Sequence, residues 1–135
     1  MEKKFNDFSA SSRELEAWND EEMVFSSDKK MVDGLLDFVS NGGSHFGNLI
    51  IFDKRAGNAV ALLCAYLQVK EIYAVLGSEI AAKTLGEFKI KFHFSKIIPN
   101  ILNKTGVDIC PLEKLSFSKT PEEFYHCLTR QQLDN

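Results

Sequence analysis

A concentrated positive charge is missing from this chain. It carries 16 lysines and arginines against 19 aspartates and glutamates, a formal charge of −3, and its lysines are spread along the sequence. A phosphate backbone attracts a clustered basic field, so nucleic acid is not expected as a partner. Paired cysteines are missing too. Cys64, Cys110 and Cys127 are odd in number, far apart and without a Cys-x-x-Cys spacing, which argues against a disulfide framework and a zinc knuckle. His45, His93 and His126 show no metal-ligand spacing, so neither a metal nor a cofactor is expected. Apolar runs stay well short of the roughly 20 residues that cross a bilayer, and Met1 to Ala10 holds no signal-peptide core. The expectation is a chain of the reducing cytoplasm that neither spans a membrane nor is secreted. Internal repeats and low-complexity tracts are also absent.

What is present is the material of one folded domain. A length of 135 residues suits a single core, and 44% hydrophobic with 26% charged residues argues against long disorder. Ser11 and Glu14 make a capping-box signature, which predicts a helix from there to about Trp18, ended by Asp20-Glu21-Glu22. Residues 1–22 are therefore expected as an N-terminal helical extension, and 23–135 as a single α/β domain. Met23-Val24-Phe25 reads as a short strand. Val32, Leu35, Leu36 and Val39 recur at helical spacing until Asn41-Gly42-Gly43.

The middle of the chain carries the clearest pattern. Leu49-Ile50-Ile51-Phe52 has no polar face, as expected of a strand covered on both sides and ending at Asp53. From Ala56 to Leu67 small and apolar residues surround the helical wheel, so this helix is expected at the centre of the fold. Ile72 to Leu76 repeats the buried-strand pattern, and Ser78 is placed to cap a helix from Glu79 to about Phe88. Lys89 to Phe94 alternates like a half-exposed strand, with His93 outward. The order β-α-β-α-β predicts a mostly parallel central sheet. Ile97 to Leu102 reads as a helical turn. Thr120-Pro121-Glu122-Glu123 combines an N-cap, a proline at the first helical position and a glutamate at the third, which predicts a last helix to about Arg130.

Three phrases in this stretch resemble a known family: Asp53-Lys54-Arg55-Ala56-Gly57-Asn58-Ala59, Tyr73-Ala74-Val75-Leu76-Gly77-Ser78-Glu79, and Ile101-Leu102-Asn103-Lys104-Thr105-Gly106 with Cys110-Pro111-Leu112-Glu113-Lys114-Leu115. They are similar to the family catalogued as domain of unknown function 1893. The resemblance implies a cytidine-deaminase-like, three-layer α/β/α fold. In that fold the helix after Asp53 matches the one that carries His-x-Glu in true deaminases, and the Ser78 helix matches the one that carries Pro-Cys-x-x-Cys. Here those places hold Gly57-Asn58-Ala59 and Ser78-Glu79-Ile80, so zinc and the proton-shuttling glutamate are not expected.

In an open α/β sheet, ligands settle beyond the carboxyl ends of the strands, where helix N-termini offer free N–H groups. That rule points to a pocket for a small polar, nucleotide-like ligand rimmed by Asp53, Lys54, Gly57, Ser78 and Glu79. Asn103 and Lys104 join it on the resemblance alone. A plainer reading has Asp53 and Ser78 cap helices and Gly57 allow close packing. Cys110 stands before a proline-started helix, which favours thiolate, so a thiol enzyme with Cys110 as nucleophile or sulfur carrier and Glu113 as partner is a second reading. Its plain counterpart is a small buried residue, as Cys64 is expected to be. A third reading is an assembly module, a homo-oligomer using Phe5, Phe8, Leu15 and Trp18 as apolar anchors.

Overall fold

The computed structural model describes residues 1–30, 32–102 and 109–134. Its elements in chain order are α1 (Glu2–Ala10), β1 (Leu15–Asn19), β2 (Glu22–Ser27), α2 (Asp33–Ser40), β3 (Leu49–Ala56), α3 (Asn58–Leu67), β4 (Glu71–Ser78), α4 (Glu79–Glu87), β5 (Lys91–Ile98), α5 (Pro111–Ser116) and α6 (Pro121–Asp134). A single turn of 3-10 helix spans Gly43–His45. The five strands form one sheet in the order β2-β1-β3-β4-β5.

The β3-α3-β4-α4-β5 run is parallel, as the sequence pattern predicts. The sheet as a whole is not mostly parallel, because β1 pairs antiparallel with both β2 and β3. The cause is local. A tight turn with Asp20 at φ 55° joins β1 to β2, and two strands so joined can only run antiparallel. The result is a mixed sheet flanked by helices.

The region before residue 23 also departs from its expected form. Ser11 ends a helix instead of starting one: its Oγ donates to Phe8 O at 2.7 Å and accepts from Arg13 N at 3.2 Å. Glu14 makes no capping box, since its N–H is bonded to Ser27 O across the hairpin at 2.9 Å. Leu15 to Asn19 is thus a strand, seated between β2 and β3, and α1 before it packs Phe5 and Phe8 against the same sheet. Two further boundaries move. β3 continues past Asp53 to Ala56, and the predicted helical turn at Ile97–Leu102 is absent. Ile97 and Ile98 instead pair with Gly77 and Ser78 at the end of β5.

Alternation along β3 divides the apolar core between two faces. Leu49 and Ile51 face a large cluster built with α2, α3, α4 and α6, including Leu35, Leu63, Leu85 and Phe124. Ile50 and Phe52 face a smaller cluster with Tyr73 and with Phe5 and Phe8 of α1. Burying each of those two phenylalanines is worth about 2–3 kcal/mol, which is what holds a nine-residue helix on the sheet. α3 lies at the centre, with Asn58 to Cys64 and Leu67 buried.

The caps read from sequence are in place. Ser78 Oγ accepts from Ala81 N at 3.0 Å at the start of α4. Thr120 and Glu123 form a reciprocal capping box at α6, with N–H bonds of 2.9 and 3.1 Å.

Candidate functional site

Where β3 passes into α3 the chain must satisfy the free N–H groups of a buried helix end. The acceptor comes from far along the sequence. Glu113 of α5 receives Asn58 N on Oε2 and Ala59 N on Oε1, both at 2.8 Å. The carboxylate lies so close that a Cβ on Gly57 would fall 2.4 Å from it, which is why glycine stands there. Asn58 completes the junction: its amide donates to Ser116 Oγ at 2.9 Å, and its Oδ1 accepts from Thr84 Oγ1 at 2.5 Å. Ser116 Oγ in turn donates to Glu113 O at 2.6 Å. Burial pushes the Glu113 carboxyl above its usual value, opposed by its two N–H donors. This network clamps α5 to α3 and α4.

Beside the clamp lies a cavity of about 420 Å³. Asp53, Gly57, Cys110 and Glu113 line it, with Val32, Val60, Ile101 and Leu112 as apolar walls. Asp53 is the chemically distinctive group. It is buried, and removal from water pushes its pKa up to about 8; the charge of Glu14 pushes the same way, while backbone N–H bonds from Arg55 and Lys54 oppose. Its Oδ1 accepts from Arg55 N at 3.0 Å. At neutral pH the side chain is therefore mostly an uncharged acid, able to donate as well as accept a hydrogen bond.

Other residues named from sequence go elsewhere. Lys54 lines the cavity, but its ammonium reaches back to α1, donating to Ser11 O at 2.6 Å and Ser9 O at 3.2 Å. Ser78 is fully buried and occupied with capping α4, and Glu79 is exposed on that helix; neither lines the cavity. Asn103 and Lys104 lie outside the described residues. His93, outward on β5, stacks on Tyr73 with ring centroids 4.3 Å apart. Among the described residues no group of three or more His, Cys, Asp or Glu side chains could hold a metal ion.

Cys110 faces the cavity yet is only 2% exposed, and Cys64 is sealed in the core, where burial and the charge of Asp53 push its thiol up. Cys127 is the half-buried one. Alkylation with iodoacetamide at neutral pH is expected to label Cys127 first, with Cys110 slower than a free thiol. Mass mapping that finds Cys110 labelled first, and faster than free cysteine, would restore it as a nucleophile.

Glu14, Lys30 and Arg55 also line the cavity, and sequence reasoning missed them. Glu14 was hidden by its match to a capping box, and Lys30 sits in a charged run that carries no spacing signal.

A search of curated proteins finds no similar sequence. The crystal structure of a DUF1893 family protein from Thermotoga maritima matches this fold with a TM-score of 0.83, covering 96% of this chain and 88% of that one. At 24% identity the likeness is one of fold. A family profile described as a domain of unknown function, DUF1893, matches residues 8–131, and with nearly its whole length so matched the chain belongs to that family.

Proposed function

We propose that the domain is a zinc-free relative of the cytidine-deaminase fold that binds a small polar, nucleoside-like ligand in the cavity at the carboxyl end of β3. One observation carries this reading: a buried acid, Asp53, lines a cavity of about 420 Å³ at a strand end, the place where open α/β sheets take ligands. The order of the parallel elements supports the fold assignment, and Gly57-Asn58-Ala59 and Ser78-Glu79-Ile80 offer no zinc ligand set.

The rival readings have less behind them. Both oxygens of Glu113 already accept N–H groups of α3, so it is poorly placed as a base for Cys110. Of the apolar anchors that an assembly module would present, Phe5, Phe8 and Leu15 are buried in the chain's own core and Trp18 is half-buried.

A thermal-shift panel of nucleosides, nucleotides and sugars tests the proposal, because a ligand of the native state raises its melting temperature by mass action. A nucleoside or nucleotide is expected to stabilise the wild type and to lose that effect in Asp53→Ala. Silence across the panel, or stabilisation that persists in the variant, would sink the reading.

A further inference from the structure

The cavity is stratified in charge. Its deep lining is mainly apolar: Val32, Val60 and Ile101 are all at most 7% exposed, and Cys110 and Asp53 are buried beside them. The other deep acid, Glu113, is turned onto the N–H groups of α3. This arrangement closes the usual anion site of a helix N-terminus from within, so an acidic group on a ligand finds no seat at the bottom. The cations lie at the mouth. Lys54 is committed to carbonyls of α1, whereas Lys30 and Arg55 are exposed lining residues. Among the described residues neither takes part in a salt bridge. Glu14 is half-buried and acts on Asp53 from the side, so that among the described lining residues Lys30 and Arg55 are the cations not committed to α1.

Resting on the cavity reading above, we infer that the ligand is an amphiphile with an anionic head: a carboxylate or phosphate held at the mouth by Lys30 and Arg55, and an uncharged body directed inward to Asp53. Arg55 is the stronger half of the pair, since its planar fork meets either oxyanion with two parallel bonds while an ammonium offers a single point charge. The apolar walls, with no buried counter-charge on offer, reject a second ionic group on the body. A long-range benefit follows, because opposite charge at a cavity mouth also raises the rate of encounter.

Three probes with one body separate these elements: uridine, uridine 5′-carboxylate and uridine 5′-monophosphate, titrated at low ionic strength and pH 6.5 into wild type, Lys30→Ala/Arg55→Ala and Asp53→Ala. Both anionic probes are expected to bind at least about tenfold more tightly than uridine, and their ratio identifies the head that the mouth prefers. The double mouth variant should erase that advantage and leave uridine's own affinity in place. Uridine binding as tightly as its charged congeners, an advantage that survives the double variant, or no binding of either anion at about 10 mM would each overturn the inference. Asp53→Ala, which removes both hydrogen-bonding atoms of the side chain, keeps the two levels apart. If it weakens all three probes while the mouth variant does nothing, only the anionic head is wrong; if it leaves every affinity unchanged, the cavity reading itself has failed.

Discussion

Replacing Asp53 with asparagine is expected to stabilise the folded chain by a few kcal/mol at pH 8 and to leave it nearly unchanged at pH 4. Burial raises this carboxyl from 3.8 to about 8. Between those values the folded chain holds a proton that the unfolded chain has released, so stability falls as pH rises through the window and is flat above it. Each pH unit costs at most about 1.4 kcal/mol, and solvent entering the cavity makes the full loss smaller than the product suggests. Asparagine does not titrate, and its Oδ1 can still accept from Arg55 N. Urea denaturation of both proteins at several pH values reads the difference, which should appear as a slope in the wild type and its absence in the variant. Equal slopes would mean that Asp53 is solvated and ionised at neutral pH. The sign matters for function. A side chain that costs the fold stability under neutral conditions, where an isosteric amide would not, is the kind of group a binding site retains.

The legible parts of the fold were those where local pattern and tertiary role agree. β3 and β4 contain the unbroken apolar runs Leu49 to Phe52 and Ile72 to Leu76, which lie mostly buried within the sheet, and Ser78 and Thr120 announce helices because their caps act within three residues. β1 was illegible for the converse reason. Its polar member, Glu16, is only 5% exposed, held by Arg13 at 2.9 Å and by Trp18 at 3.1 Å, so the strand lacks the alternation that would mark it. Ser11 and Glu14 then matched a helix start by spacing alone. The site divides in the same way. The strand-end rule pointed to Asp53, which lines the cavity although β3 runs on to Ala56, but applied to Ser78 it pointed to a hydroxyl already used by its own helix. Glu113 was visible as an unusual residue beside Cys110, but its partners lie 54 and 55 residues away in the chain, and no periodicity reports a contact of that range. The glycine at 57 was expected to ease helix–sheet packing; what it accommodates is that distant carboxylate.

The Glu113–Gly57 junction supplies the second large effect. Glu113→Ala strips two buried N–H groups of their acceptor and is expected to cost about 3–5 kcal/mol, in the range for breaking a buried charged interaction by removing one partner. Gly57→Ala should cost about 2–4 kcal/mol, since its Cβ would meet the carboxyl carbon and both oxygens within 2.5 Å and a packed, bonded group must give way. The two changes are not independent. Once Glu113 is alanine the space beside residue 57 is free, so the double variant should be less destabilised than the sum by about 2 kcal/mol. Additive losses in a denaturation cycle would show that Gly57 is constrained by backbone geometry and not by the carboxylate. The same variant also exposes the logic of the cavity. With the internal carboxylate gone, the start of α3 regains two unpaired N–H groups at a positive dipole end, and in a Lys30→Ala/Arg55→Ala background, which removes the mouth cations, sulfate should stabilise the Glu113→Ala chain more than the chain that keeps Glu113. An anion that stabilises both equally in that background, and more than sodium chloride of the same ionic strength does, would mean that the helix end is not closed in the native protein, and that the acidic head of a ligand has a seat deeper than the mouth.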